Sequence, residues 1–112
     1  MNHSYEDIGH FSVTFPADGC SEGAVCTMGV EGLVRNCEAG EPILGKTEYM
    51  TPTYAAIQIG GFVEVNYSGN APQLGYQKLS ADGSGGVKAD TNGQAFWVIT
   101  VNRADRTLIM KL

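Results

Sequence analysis

The stretch from Tyr54 to Gly69, YAAIQIGGFVEVNYSG, constrains the fold more than any other part of the chain. Apolar and polar residues alternate on both sides of Gly60 and Gly61, which is the period of a β-strand with one buried face. Two adjacent glycines weaken a strand unless its backbone bends or bulges at that point. A small closed sheet needs such bends, so we predict a corner at Gly60 and Gly61, where the chain crosses a β-barrel-like body.

The rest of the sequence also favours strands. Fifteen Gly and four Pro are scattered through 112 residues, and no window keeps an apolar stripe at helical spacing for three turns. Hydrophobic residues make up 43% of the chain, which is enough for one core. We predict an all-β single domain, barrel-like or a β-sandwich, over residues 10–112. Residues 1–9 are polar and unpatterned, and are predicted to form a flexible N-terminal arm.

Alternation and turn residues place the individual strands. Phe11, Val13 and Phe15 are predicted to share one apolar face, and the segment Lys46–Tyr54 has no period and is predicted to be an exposed loop. The predicted strands are 10–15, 24–30 paired with 33–37, 43–46, 55–59, 63–67, 76–80, 87–89, and 95–101 paired with 107–112.

The strand 95–101 is apolar on both faces. Phe96 and Val98 point one way, whereas Trp97, Ile99 and Val101 point the other. Such a strand is typically central in a sheet or covered by a partner. The stripe through Trp97 is therefore interpreted first as core, and a binding surface is the alternative.

The charge of the chain argues against some partners. Seven basic and twelve acidic residues give a net charge of −5, which disfavours binding to nucleic-acid phosphates. No apolar run reaches membrane-spanning length, and the N-terminus lacks the order of a signal peptide. We therefore expect no nucleic-acid and no membrane partner, and synthesis in a cytoplasm.

Three cysteines, Cys20, Cys26 and Cys37, are an odd number in a chain without an export signal. We predict that they are reduced, partly buried and behave as small hydrophobic residues. A metal site would have to recruit His10 or His3, and the five residues between Cys20 and Cys26 do not match the short spacing of zinc sites. No metal and no cofactor are predicted.

Candidate catalytic groups are also few. His3 lies in the predicted arm and His10 at its edge, so a histidine base is disfavoured. Cys26 and Cys37 have no neighbouring basic residue in the sequence that would lower a thiol pKa. Glu38 and Glu41 lie in a predicted turn, where carboxylates are commonly solvated. No catalytic residue is predicted, and the protein is not expected to be an enzyme.

Four segments together resemble the small head-decoration, or capsid-cement, proteins of tailed bacteriophages and prophages. They are CEAGEPILGK (Cys37–Lys46), YAAIQIGGFVEVNYSGNAP (Tyr54–Pro72), LGYQKLSADGSGGVKA (Leu74–Ala89) and FWVITVNRADRTLIMKL (Phe96–Leu112). The resemblance covers roughly residues 8–112 and consists of fold and turn motifs rather than a catalytic signature.

The resemblance implies a structural virion protein, made in the host cytoplasm, that binds the outside of a phage capsid and stabilises the shell. It implies the major capsid protein as partner and a homotrimer on the shell. Related proteins use an N-terminal arm that adds a strand to a capsid edge, and Met1–His10 is the matching segment. A frayed terminus is the alternative interpretation of that segment.

Two other functions stay open. One is a carbohydrate- or ligand-binding module of a virion or larger assembly, with an aromatic surface drawn from Tyr5, Tyr49, Tyr54, Tyr67, Tyr76 and Trp97. The other is a small thiol- or metal-dependent enzyme.

Overall fold

The computed structural model describes residues 9–112, whose regular secondary structure consists of ten strands. The strands are β1 (Phe11–Pro16), β2 (Val25–Met28), β3 (Val34–Asn36), β4 (Gly45–Met50), β5 (Tyr54–Gly60), β6 (Phe62–Asn66), β7 (Gly75–Ala81), β8 (Val87–Ala89), β9 (Gln94–Asn102) and β10 (Thr107–Lys111). Among these residues no helix could cross a membrane. The all-β prediction is confirmed, whereas the predicted arm lies outside the described residues except for Gly9.

The strands form two antiparallel five-stranded sheets, ordered β1-β5-β4-β2-β3 and β6-β10-β9-β7-β8. Over residues 9–112 an isolated bridge joins the two edges of each sheet, between Ala17 and Val34 in the first sheet and between Tyr67 and Val87 in the second. The prediction of an all-β single domain is therefore confirmed, with two antiparallel sheets, but neither sheet is a closed barrel.

Hydrophobic side chains form two clusters rather than one. The smaller cluster belongs to the first sheet and consists of Ala17, Cys20, Cys26, Val34, Ala55 and Ile57. The larger cluster lines the second sheet and also takes in Val25, Cys37 and Ile43 from the first half of the chain. Those three residues bury apolar surface between the halves and hold the sheets together.

The two halves of the chain repeat one topology. The second sheet has the strand order of the first, with every strand five places later in the sequence. Backbone hydrogen bonds outside the ladders repeat as well: the Asp18 N–H donates to the Val34 carbonyl and the Ser68 N–H to the Val87 carbonyl, both at 2.9 Å.

The irregularities of the ladders repeat too. Glu48 is an unpaired extra residue in β4, opposite β5, and Ile99 is its counterpart in β9, opposite β10. Bulges are specific features that re-aim neighbouring side chains. Their shared position allows residues of the two halves to be compared one by one.

The corner prediction is confirmed as a switch between sheets. Gly60 ends β5 in the first sheet, and β6 starts the second sheet immediately after Gly61. Of the two glycines only Gly61, with φ +84°, has the left-handed conformation. The Gln58 side-chain amide donates to the carbonyl oxygens of Gly60 and Phe62, each at 3.0 Å, and fixes the switch from the side.

The loop prediction for Lys46–Tyr54 is wrong. Gly45–Met50 is β4, which pairs with β2 and β5, and only a short turn separates it from β5. The bulge at Glu48 shifts the alternation by one residue, so no regular period is visible in the sequence. The Thr51 N–H closes the turn by donating to the Tyr54 carbonyl at 2.8 Å.

Other strand predictions are close to the structure. The predicted hairpins 24–30 with 33–37 and 95–101 with 107–112 correspond to β2–β3 and β9–β10. The predicted apolar face of β1 is correct only in part, because Val13 and Phe15 are half-buried whereas Phe11 is 60% exposed. A bulge between Phe11 and Ser12 separates Phe11 from that face.

Candidate binding surface

Trp97 and Tyr76 form an exposed aromatic pair on the outer face of the second sheet. They lie directly opposite each other in β9 and β7, with ring centroids 5.0 Å apart and ring planes tilted by 41°. Their side chains are 53% and 64% exposed. We call this pair the aromatic platform. The core interpretation of Trp97 is wrong, although Phe96 and Val98, on the opposite face of β9, are buried as predicted.

Lysine side chains border the aromatic platform. Lys111 on β10 is opposite Trp97 in the ladder, and Lys78 follows Tyr76 on the same face of β7. Both lysines are exposed. The surface therefore combines two aromatic rings with two ammonium groups.

A groove of about 450 Å³ lies beside Tyr76 and is lined by Tyr76, Gln77, Lys78, Ala89, Asp90 and Thr91. The Asp90 carboxylate accepts hydrogen bonds from the Asn92 N–H at 2.9 Å and the Ser80 hydroxyl at 2.8 Å. These two donors lower the pKa of Asp90, the backbone N–H contributing most. The groove thus holds a fixed carboxylate next to an ammonium group and an aromatic ring.

A second groove, of about 600 Å³, lies where β9 extends past the start of β7. The loop residues Pro72, Gln73 and Leu74 face Ile99–Val101 and Arg103 across it. Leu74 is 60% exposed. Because β9 carries both Trp97 and Ile99, this groove continues the apolar surface of the second sheet.

The other tyrosines among residues 9–112 do not join the aromatic platform. Tyr67 is buried in the larger cluster, and the Arg106 guanidinium carbon lies 4.8 Å from the centroid of its ring. Tyr49 and Tyr54 are exposed on β4 and β5 of the first sheet. Tyr5 lies outside the described residues.

The first sheet carries a polar cluster that sequence reasoning missed. The His10 Nε2 atom is 3.1 Å from both the Ser12 hydroxyl and the Glu48 carboxylate, and the Ser12 hydroxyl donates to that carboxylate. In a catalytic triad the acid and the serine contact different imidazole nitrogens. Here both contact one nitrogen, and the Ser12 hydroxyl donates its hydrogen bond to the Glu48 carboxylate rather than to the imidazole, so the arrangement does not activate Ser12 as a nucleophile.

The three cysteines are free and buried. Burial is the main cause that raises the pKa of Cys26 to about 11 and that of Cys37 to about 12. Burial also raises the pKa of Cys20. Protonated thiols are poor nucleophiles and poor metal ligands, which disfavours a thiol-dependent reaction at these residues.

The Glu41 side chain, in the predicted turn, has a structural role. Glu41 forms a bidentate ion pair with Arg35, at 2.7 and 2.8 Å, and accepts the Glu38 N–H at 2.7 Å. The Arg35 guanidinium is the main cause that lowers the pKa of Glu41 to about 2. Across residues 9–112, no three His, Cys, Asp or Glu side chains are grouped so that they could hold a metal ion.

A scan against protein-family models found no match, and a search of curated proteins found none either.

Proposed function

We propose that the protein is a structural component of a phage particle that binds the outside of the capsid, strengthens the shell and has no enzymatic role. In this proposal its partner is the major capsid protein, it acts as a homotrimer on the shell, and it is made in the host cytoplasm. The four segments that resemble capsid-cement proteins support the proposal, and so does the edge strand β1.

Strand β1 is the observation that carries this proposal. It is an edge strand that pairs with β5 alone among the strands of residues 9–112. An open edge presents backbone N–H and C=O groups on which another protein can add a strand. Phe11 is exposed at the start of β1, directly after the segment that is predicted to clamp the capsid.

Deleting residues 1–9 tests the clamp. We expect the melting temperature of the isolated protein to change little, since the deletion ends before the first strand. Binding to undecorated shells should weaken about tenfold or more, because the backbone hydrogen bonds of an added strand are lost together. Thermal melting and co-sedimentation with shells measure the two quantities.

Single substitutions locate the contact. Phe11→Ser should reduce co-sedimentation, whereas Val30→Ser should not, although Val30 is a fully exposed apolar residue in the loop between β2 and β3. A folded truncated protein that binds shells as well as the full chain would refute the clamp. Shells that bind neither protein would refute the capsid function itself.

Carbohydrate binding is the second candidate function. The exposure of both Trp97 and Tyr76 favours it, because large aromatic rings on a surface are typical of interaction sites. The two functions are compatible: the β1 edge belongs to the first sheet and the aromatic platform to the second.

A further inference from the structure

We infer that the aromatic platform and the groove beside Tyr76 bind a neutral glycan built of hexoses. The inference rests on carbohydrate binding, the second candidate function, and names the ligand class and the residues that recognise it. Trp97 and Tyr76 stack on sugar rings, while Asp90, Lys78 and Gln77 bind sugar hydroxyls.

The comparison between the halves shows that the fold does not need an aromatic residue at position 97. Trp97 precedes the bulge of β9 by two residues and pairs with Lys111 of β10. Lys46 precedes the bulge of β4 by two residues and pairs with Gln58 of β5, so it occupies the same place in the first sheet. The repeated topology is therefore compatible with a lysine at this position and does not by itself require an aromatic residue. We take the exposure of Trp97 as a mark of binding.

The aromatic platform suits the apolar side of a sugar ring. The face of an aromatic ring carries negative charge, which attracts the weakly positive C–H groups that a pyranose presents on one side. The two rings are tilted by 41° rather than coplanar, so they offer two differently oriented stacking faces. We assign one face to each of two consecutive sugar units.

The groove supplies the polar contacts that stacking lacks. Each Asp90 oxygen accepts one hydrogen bond within the protein and retains a lone pair for a sugar hydroxyl. Lys78 offers ammonium donors, and Gln77 keeps its amide oxygen free to accept, since its nitrogen donates to the Leu74 carbonyl at 2.9 Å. The groove volume of about 450 Å³ lies within the range of small-ligand sites, about 300–1,000 Å³.

Charge selects a neutral ligand. The groove lining carries one carboxylate, Asp90, and one ammonium, Lys78, whose charges offset each other, and Lys111 lies two strands away from β7, on the far side of Trp97. A uronate or sulfate in the groove would meet the ionised Asp90 as well as Lys78, so it gains no net electrostatic attraction to offset the cost of removing its charge from water. Sugar hydroxyls, which both donate and accept, match a carboxylate and an ammonium equally well.

Trp97 is the single tryptophan of the chain, so its intrinsic fluorescence reports on the platform directly. Neutral gluco-, galacto- and manno-oligosaccharides should be titrated into the full-length protein, with uronate-containing and sulfated oligosaccharides of equal length as the acidic set. We expect a saturable change in fluorescence with at least one neutral oligosaccharide, and weaker or no binding of the acidic set.

Calorimetry with an oligosaccharide that binds then compares the affinities of variants at exposed residues. Trp97→Ala and Tyr76→Ala should each weaken binding about tenfold, and Asp90→Asn should weaken it less. Tyr49→Ala, at an exposed tyrosine of the first sheet, is the control and should bind as the unchanged protein does. Circular dichroism confirms that each variant is folded.

The outcomes separate the inference from the function on which it rests. Binding of acidic oligosaccharides alone would overturn the neutral ligand class but keep carbohydrate binding. Failure of both sets to bind the folded protein would overturn both. Equal affinity of Trp97→Ala and unchanged protein would show that the sugar binds elsewhere and would overturn the assignment of the site.

Discussion

Replacing Gly61 with Val should lower the free energy of unfolding by about 2–5 kcal/mol, the sum of backbone strain and overpacking. Gly61 has φ +84°, a conformation that a β-branched residue resists. A Cβ atom there would also lie 2.9 Å from the carbonyl carbon and oxygen of Gly9 and 3.0 Å from the Cα of His10. These are backbone atoms, so the clash cannot be relieved by a side-chain rotation.

Gly60→Val is the matched control for this prediction. Gly60 has an ordinary φ, and a Cβ atom there would approach the Cβ of exposed Phe11 at 3.2 Å and the Gly9 carbonyl oxygen at 3.3 Å. We expect a loss of about 1 kcal/mol, since the contacts are tight but adjustable. Denaturant unfolding of both variants measures the difference. Equal losses would contradict the distinction between the two glycines.

The folded protein should lose stability steeply above pH 9. An unfolded thiol titrates near pH 9, whereas burial raises the pKa of Cys26 to about 11 and that of Cys37 to about 12. Between these values the unfolded chain releases protons that the folded chain keeps, so a rise in pH favours unfolding. Each pKa unit corresponds to about 1.4 kcal/mol, and the two thiols together therefore remove several kcal/mol by pH 11.

A variant with Cys26→Ala and Cys37→Ala identifies these thiols as the cause. It should be less stable than the unchanged protein at pH 7, because two buried side chains become smaller. Its stability should then fall less between pH 9 and pH 11, measured by denaturant unfolding under reducing conditions. Parallel stability curves for the two proteins would contradict the assignment to Cys26 and Cys37.

The sequence predicts the parts of the fold that depend on local patterns. The β9–β10 hairpin follows from β-branched and aromatic runs around a turn, and the corner follows from the glycine pair. It does not predict β4, because the bulge at Glu48 interrupts the alternation. The repeated topology also escapes detection, since equivalent positions such as Lys46 and Trp97 share a backbone environment but no side-chain chemistry.

The candidate binding surface was predictable only in part. Tyr76 and Trp97 are both among the aromatic residues that composition suggests, but their pairing depends on the register between β7 and β9, which no local pattern specifies. Trp97 is exposed because no element of residues 9–112 covers that part of the outer face of β9, and this depends on the tertiary arrangement. Ser12 and Glu48 are brought near His10 by β1 and β4, which both pair with β5.

The repeated topology has a consequence for how the chain folds. Every ladder joins strands of the same half, and the most distant partners are Phe11 with Gly60 in one half and Phe62 with Lys111 in the other. Folding rates fall as the sequence separation of contacting residues grows. If strands of the two halves were interleaved in one sheet, many paired residues would be separated by most of the chain. Here each half can form its ladders independently of the other. Contacts that need both halves, such as those of Val25, Cys37 and Ile43 with the larger cluster, are then expected to form after the ladders.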